Sequence, residues 1–129
     1  ASPFVTGVDE ANAEEALIRP AVEGTLNVLS ACAQQPTLKR VVLTSSTGAV
    51  FFGWSPQPKG LIREPETKWS DLTNADPYTR SKTLAERAAW AFVEKRKAEG
   101  GGGRACFELC TINPGFILGE ALSSNDAAS

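Results

Sequence analysis

Two short apolar segments, separated by a long amphipathic one, constrain the fold of this chain more than any other feature. Residues 39–46 (KRVVLTSS) form a β-branched run without polar alternation, which predicts a central strand buried on both faces of a parallel sheet. A second apolar run covers residues 106–112 (CFELCTI). Residues 78–97 between them carry apolar side chains at steps of three and four, which predicts a helix. A strand, a crossover helix and a second strand form one unit of a parallel sheet.

Another amphipathic segment, residues 9–35, precedes the first strand. Its apolar side chains recur at helical steps: Ile18, Val22, Leu26 and Leu29. Pro20 disfavours helical backbone at the residue before it, so we expect a kink or a restart at Arg19. The order helix, strand, loop, helix, strand predicts the α/β class. It indicates part of a Rossmann-type doubly wound parallel sheet with helices on both faces.

The helix over residues 78–97 has recognisable start and stop residues. Asp76 and Pro77 predict an N-cap followed by a proline in the first turn. The predicted buried stripe consists of Leu84, Ala85, Ala88, Ala89, Phe92 and Val93. Four glycines at residues 100–103 end the helix in a flexible turn. The segment before the helix, residues 51–77, is long enough to be a functional loop.

Composition excludes several classes of partner. A chain of 129 residues suits one domain at most. With a net charge of -2 and scattered lysines and arginines, it has no basic stripe that would attract nucleic acid or an anionic membrane surface. No apolar run approaches the roughly 18 residues that a membrane helix needs, and no signal peptide is recognisable. We therefore expect a cytoplasmic protein that binds neither nucleic acid nor membranes.

The cysteines and the absence of histidine narrow the chemistry. Cys32, Cys106 and Cys110 are too few for a disulfide framework, and we expect them to be small core residues in a reducing compartment. The chain contains no histidine, so a zinc site would lack its usual ligands and we expect no metal. Mechanisms that need imidazole as a base are excluded as well.

Three polar or turn-forming clusters follow predicted strands or open the chain. They are residues 1–3 (ASP), 44–46 (TSS) and 113–115 (NPG). Open parallel sheets bind their ligands at the carboxyl ends of their strands. The clusters therefore predict a ligand site at one edge of the sheet.

The one tyrosine of the chain, Tyr78, is followed four positions later by Lys82. On a helix such residues lie roughly 6 Å apart along the axis, so the two side chains can share one patch. One interpretation is an ordinary pair of side chains on the helix surface, with no catalytic role. However, a nearby ammonium favours the phenolate and lowers the pKa of a tyrosine towards the range in which it can act as an acid or base at neutral pH. Ser46, at the end of the preceding strand, could hold a substrate oxygen in the same cleft.

Six segments occur in an order that is specific to one family: residues 1–4 (ASPF), 19–29 (RPAVEGTLNVL), 39–46 (KRVVLTSS), 69–71 (WSD), 78–90 (YTRSKTLAERAAW) and 111–119 (TINPGFILG). With these segments the chain resembles the extended short-chain dehydrogenase/reductases. Within them it resembles the branch of dihydroflavonol reductases and cinnamoyl-CoA reductases, in the NAD-dependent epimerase/dehydratase superfamily. Residues 69–71 are expected to dock the long loop and to take no part in the chemistry.

The resemblance implies a catalytic set of Ser46, Tyr78 and Lys82. Tyr78 would give its proton to a carbonyl oxygen as hydride arrives from NAD(P)H. Lys82 would bind the nicotinamide ribose, and Ser46 would orient the carbonyl. The implied activity is reduction of a small-molecule aldehyde or ketone to an alcohol.

The resemblance also implies a cofactor site and a domain boundary. NADP is favoured over NAD, and the implied contacts are Ala1, Ser2, Thr44, Tyr78, Lys82, Pro114, Gly115 and Ile117. Residues 1–129 are expected to form the central to C-terminal part of an NAD(P)-binding Rossmann domain. The family's glycine-rich N-terminal half and its substrate-binding C-terminal portion would lie outside this chain, so we expect the chain alone to be inactive and to bind cofactor poorly.

The substrate and the reaction class stay open at this stage. Dihydroflavonol reductases typically carry an asparagine that contacts the flavonoid five positions after the catalytic serine, and here that position is Phe51. The difference favours a smaller aldehyde or ketone. Residues 50–54 (VFFGW), with Phe51 among them, could form an apolar wall over this substrate, and ordinary loop packing is the alternative that we slightly favour. A nucleotide-sugar epimerase or a 3-hydroxysteroid dehydrogenase would use the same three catalytic residues. A non-catalytic sensor of the cofactor is a further alternative.

Overall fold

The computed structural model describes residues 10–53, 68–99 and 107–119. They form helix α1 (Arg19–Cys32), strand β1 (Arg40–Thr44), helix α2 (Pro77–Ala98) and strand β2 (Glu108–Ile112). Short helical turns precede α1 at Glu10–Asn12 and Glu14–Ile18, and another follows β1 at Thr47–Ala49. Several predictions fall outside the described residues: Ala1, Ser2, Cys106, the glycines of 100–103 and most of the long loop.

Pro20 explains how α1 begins. Residues Glu14–Ile18 form a π-helical turn that ends where the N–H of Arg19 donates to the carbonyl of Glu14. Proline has no N–H to continue such a ladder, but it fits the first turn of an α-helix. The α-helix accordingly starts at Arg19, with Pro20 in that turn. The change from π- to α-helical bonding falls at Arg19, but the backbone of Arg19 stays helical, with φ -58° and ψ -49°, so the prediction that Pro20 disfavours helix at this residue is wrong.

The start of α2 is also as predicted. The Asp76 carboxylate accepts hydrogen bonds from the backbone N–H groups of Tyr78, at 3.0 Å, and Thr79, at 3.1 Å. Partial burial raises the pKa of Asp76, but the hydrogen bonds from Thr79 and Tyr78 together outweigh it and the pKa lies below its usual value. The cap is therefore ionised at neutral pH, and it fixes the first turn that carries Tyr78.

The two strands pair in parallel, as predicted, in the register Arg40↔Glu108 to Thr44↔Ile112. One face of the pair is covered by helices. Both α1 and α2 pack there, in a core made of Leu29, Ala33, Ala89, Val93, Phe107 and Leu109. Val41 and Leu43 of β1 contact the same cluster. Three predicted stripe residues of α2, Ala85, Ala89 and Val93, are buried, and the other three are half-buried.

The opposite face of the strand pair corrects two predictions. Val42 is 54% exposed and Ile112 is 56% exposed, so among the described residues β1 is buried on one face and not on both. Cys110 is exposed on this face as well, whereas Cys32 is half-buried against the core. The physical reason is that both described helices lie on the same side of the sheet. A continuous apolar run does not reveal which face is covered by another layer.

Gly53 is the glycine whose conformation the fold requires. Its φ is 79°, and an added Cβ would lie 2.8 Å from the backbone oxygen of Asp71. Gly24 in α1 is a matched control, since a Cβ there meets nothing within 4 Å. We expect Gly53→Ala to lower the unfolding free energy by about 1–3 kcal/mol. Gly24→Ala should raise it by about 0.5–1 kcal/mol.

Urea unfolding of the full-length protein that carries this chain would measure both effects. The expected result is an opposite shift of the two midpoints. A Gly53→Ala midpoint equal to that of the unchanged protein would show that the backbone at residue 53 does not need its positive φ.

Candidate active site

The segments that follow β1 and β2 lie side by side. The N–H of Ser45 donates to the Ile112 carbonyl at 2.8 Å, and the N–H of Thr47 donates to the Pro114 carbonyl at 3.0 Å. These bonds continue the parallel pairing beyond the strands. Two of the predicted clusters, 44–46 and 113–115, therefore meet at the carboxyl edge of the sheet.

Ser46 is buried at this edge and caps a short helical turn. Its backbone is extended, with φ -160°, and its side-chain oxygen accepts a hydrogen bond from the N–H of Gly48 at 3.1 Å. The turn Thr47–Ala49 carries the chain from β1 towards α2. The hydroxyl of Ser46 is therefore held in one orientation by the backbone two residues later.

Tyr78 and Lys82 form a contact pair one turn apart on α2. The Lys82 Nζ lies over the Tyr78 ring, 5.5 Å from its centroid. This distance is within the range of a cation–π contact. Both residues are half-buried. The structure thus places the ammonium beside the phenol, as the spacing predicted.

Ser46 and Tyr78 both lie close to Gly48. A Cβ added at Gly48 would lie 3.3 Å from the Ser46 Oγ and 3.7 Å from the Tyr78 Cε1. The serine hydroxyl and the tyrosine ring therefore lie near one point, on the side of Gly48 where any other residue would carry its Cβ. Gly48 belongs to none of the predicted site clusters. A small residue two positions after the predicted catalytic serine, where a loop must pass close to a helix, was the feature that could have indicated it.

Ser70 holds the segment that follows Ser46. Its hydroxyl donates to the Gly48 carbonyl at 2.8 Å and accepts from the N–H of Phe52 at 2.8 Å. The hydroxyl of Thr83 on α2 also donates to the Gly48 carbonyl, at 3.3 Å. Ser70 is buried, and it docks the chain around residues 48–52, the docking role expected for residues 69–71.

Phe51 and Phe52 follow this anchored segment as an exposed aromatic pair. They are 43% and 47% exposed, and their rings meet edge to face with centroids 6.2 Å apart. Two adjacent exposed rings next to the anchored turn are available to contact an apolar ligand. The part of the predicted wall from Trp54 onward lies outside the described residues.

A groove of about 320 Å³ lies between α1 and β1. Thr44 and Lys82, both predicted to contact the cofactor, are among its lining residues. Pro114 is half-buried and Gly115 exposed, next to the Thr47 side chain, which an added Cβ at Gly115 would approach to 3.9 Å. Ile117 is 84% exposed. Ser46 and Tyr78 do not line this groove.

A partly buried chain of hydrogen bonds links α2 to both strand ends. The Asn113 Nδ2 donates to the Ser46 carbonyl at 3.0 Å and to the Glu86 Oε2 at 2.8 Å. The Trp90 Nε1 donates to the Glu86 Oε1 at 3.4 Å. Glu86 was not among the predicted site residues. Its position one turn after Lys82, beside the buried stripe of α2, was the one available indication.

Two classes of feature are not found in the described ranges. Residues 10–53, 68–99 and 107–119 contain no group of three or more cysteine, aspartate or glutamate side chains able to hold a metal. In the same residues, no helix is both long enough and apolar enough to cross a membrane.

Comparison with known proteins identifies the family. The model of the 3-beta hydroxysteroid dehydrogenase/isomerase family matches residues 4–126. The chain belongs to this family. Its curated relatives include cinnamoyl-CoA reductase CAD2 of Medicago truncatula, 42% identical over 126 residues, covering 95% of this chain and 35% of the relative. Tetraketide alpha-pyrone reductase 1 of Arabidopsis thaliana is 43% identical, over a match that covers 86% of this chain and 32% of the relative.

Solved structures agree with the fold. Yeast methylglyoxal/isovaleraldehyde reductase Gre2, complexed with NADPH, is 32% identical with a TM-score of 0.75, covering 98% of this chain and 37% of that one. Gre2 from Candida albicans is 30% identical with a TM-score of 0.67, over a match that covers 98% of this chain and 36% of the Candida chain. The Rossmann fold and the resemblance to the cinnamoyl-CoA reductase branch are confirmed. The chain spans about a third of the length of the curated relatives it matches.

Proposed function

We propose that the full-length protein that carries this chain is an NADPH-dependent oxidoreductase that reduces an aldehyde or ketone to an alcohol. The contact between the Lys82 Nζ and the Tyr78 ring, at 5.5 Å, carries the proposal. The Ser46 hydroxyl, which lies near the same point beside Gly48 as that ring, supplies the third group. The chain spans about a third of its relatives' length. The activity is therefore proposed for the complete protein and not for residues 1–129 alone.

Each of the three side chains has a separate role in the proposed reaction. The Tyr78 hydroxyl donates its proton to the carbonyl oxygen of the substrate. The Lys82 ammonium stabilises the phenolate that remains, because opposite charges attract strongly in a partly buried site. The Ser46 hydroxyl donates a hydrogen bond to the same carbonyl oxygen and orients it. NADPH, when bound, supplies the hydride to the carbonyl carbon.

The described residues fit a dinucleotide at the carboxyl edge of the sheet. Thr44 and Lys82 border the groove beside β1, at the end of the strand where such sheets bind ligands. Pro114, Gly115 and Ile117 follow β2 at the same edge and complete the proposed contacts together with Tyr78. Ala1 and Ser2 belong to the proposed set through the family resemblance alone. The NADPH complex of a 32% identical neighbour supports NADP over NAD.

The proposed substrate is a small aldehyde or ketone with an apolar substituent. The exposed rings of Phe51 and Phe52 offer it apolar contact but no hydrogen bond from a side chain. A polyphenol hydroxyl would gain nothing from Phe51, whereas an alkyl or aryl group would be desolvated there. The yeast neighbour Gre2, a methylglyoxal/isovaleraldehyde reductase, supports this class.

A second candidate is oxidation of a 3-hydroxysteroid, which the description of the matching family favours. The same three side chains would then act in reverse, with the Tyr78 phenolate accepting the proton of the hydroxyl group. An apolar wall at Phe51 and Phe52 suits a steroid as well as a small aldehyde. The two candidates differ in substrate and direction and share the catalytic residues.

A substrate panel separates these candidates. The full-length protein would be assayed for oxidation of NADPH and NADH with aliphatic and aromatic aldehydes, simple ketones and dihydroquercetin, and for reduction of NADP with a 3-hydroxysteroid. We expect turnover with the aldehydes or ketones and with NADPH in preference to NADH. Turnover with the steroid alone would select the second candidate, and a preference for dihydroquercetin would refute the substrate class proposed here.

A further inference from the structure

Glu86 is a buried carboxylate that the proposed chemistry does not use. It lies on α2, one turn after Lys82, and is 3% exposed. A carboxylate is costly to bury unless hydrogen bonds compensate for the lost water. Glu86 accepts from the Asn113 Nδ2 at 2.8 Å and from the Trp90 Nε1 at 3.4 Å. The shorter of these bonds leads towards the strand ends.

Asn113 connects Glu86 to the backbone of Ser46. Its amide nitrogen carries two hydrogens, and both of its partners, the Glu86 carboxylate and the Ser46 carbonyl, accept hydrogen bonds only. The opposite orientation of the amide would place an oxygen against two acceptors, so the contacts themselves fix the assignment. Asn113 directly follows β2, and it therefore ties this strand end to α2 and to the segment after β1.

We infer that Glu86, acting through Asn113, positions Ser46 relative to Tyr78 and Lys82. The inference rests on the proposed function. The Ser46 carbonyl accepts from the Asn113 Nδ2 at 3.0 Å and from the Ala49 N–H at 2.9 Å, and the Thr47 N–H donates to the Pro114 carbonyl at 3.0 Å. The Ala49 bond lies within the turn that Ser46 caps, so the Asn113 bond is the one that ties the Ser46 carbonyl to β2 and, through Glu86, to the helix that carries Tyr78 and Lys82. Displacements near 1 Å are enough to cost about 100-fold in rate.

The conservative substitution distinguishes hydrogen bonding from charge. Glu86→Gln keeps one oxygen that accepts from Asn113 and gives up only the long 3.4 Å bond from Trp90. Glu86→Met has a similar size and removes both acceptors. A positioning role predicts that the glutamine variant works and the methionine variant does not. A role for the negative charge itself predicts that both fail equally.

The test uses the full-length protein and kcat per bound NADPH, so that misfolded molecules are not counted. We expect Glu86→Met and Asn113→Ala each to lower this kcat about 10- to 100-fold. Because Glu86 also lines the groove proposed for NADPH, kcat is measured at saturating NADPH. Glu86→Gln should retain kcat within about 3-fold, because it keeps the Asn113 bond. The double variant Glu86→Met/Asn113→Ala should be no slower than the slower single variant, because both changes break one chain of bonds.

Two results would overturn the inference while leaving the proposed function intact. If Glu86→Met lowers the melting temperature but keeps kcat per bound NADPH, Glu86 stabilises the fold and positions nothing. If Glu86→Gln is as slow as Glu86→Met, the charge of Glu86 matters and its bond to Asn113 does not. An unchanged protein that binds NADPH and reduces no carbonyl would refute the proposed function itself, and the inference with it.

Discussion

Replacing Tyr78 by phenylalanine in the full-length protein should lower kcat for carbonyl reduction by about 100-fold or more, because loss of a general acid typically costs 10²- to 10⁴-fold. The change removes only the hydroxyl. The backbone N–H of Tyr78 still donates to the Asp76 cap, and the ring still lies under the Lys82 Nζ and beside Gly48. The fold of α2 should therefore be preserved, and kcat is compared at saturating NADPH because Tyr78 also belongs to the proposed cofactor contacts.

Ser81→Ala is the matched control for this experiment. It also removes one hydroxyl from the first turns of α2, a buried group that donates to the Tyr78 carbonyl at 2.7 Å. This loss should lower stability by about 1 kcal/mol and leave kcat within a few-fold. If Tyr78→Phe retains kcat as well as Ser81→Ala does, Tyr78 is not the proton donor.

Lys82→Met should lower kcat/KM by about 100-fold or more, the usual cost of removing a stabilising charge from a reacting centre. We expect both a lower kcat and a higher KM for NADPH. The ammonium 5.5 Å from the Tyr78 ring stabilises the phenolate, which affects kcat, and it borders the groove proposed for NADPH, which affects cofactor binding. Steady-state kinetics with NADPH as the varied substrate would separate the two parts.

Lys82→Arg is the control that keeps the charge. A guanidinium is planar and does not replace the point charge of an ammonium, so we expect an activity between those of the unchanged protein and Lys82→Met. If the methionine variant lost NADPH affinity alone, with kcat unchanged, Lys82 would bind the cofactor without assisting proton transfer.

Local sequence features predicted the elements of the fold well. The Asp76 side chain and Pro77 define the start of α2, because capping acts within one turn. Pro20 did not interrupt the helix at Arg19, because the turn before it stays helical with π-type bonding. The exposure of Val42 and Cys110 was not predictable in this way. Apolar periodicity gives the type of element, whereas the coverage of a sheet face depends on segments distant in sequence.

For the candidate site, too, the sequence predicted the contacts within one helix and not those between distant segments. Tyr78 and Lys82 meet because residues four apart share one face of any helix. Gly48 and the bonds from Asn113 to Glu86 and Ser46 depend on where three separate segments come together. A glutamate on a helix usually faces water. Nothing in the sequence around Glu86 indicates that an asparagine 27 positions later donates a hydrogen bond to its carboxylate.

Hydride transfer is best tested by following deuterium from NADPH labelled at the transferred C4 position. The full-length protein would be incubated with labelled NADPH and the most active aldehyde or ketone of the panel, and the alcohol would be analysed by mass spectrometry. Carbonyl reduction predicts one deuterium on the carbinol carbon for each NADPH oxidised. Bound NADPH that is neither oxidised nor transfers its label to any carbonyl of the panel would contradict the proposed reductase activity.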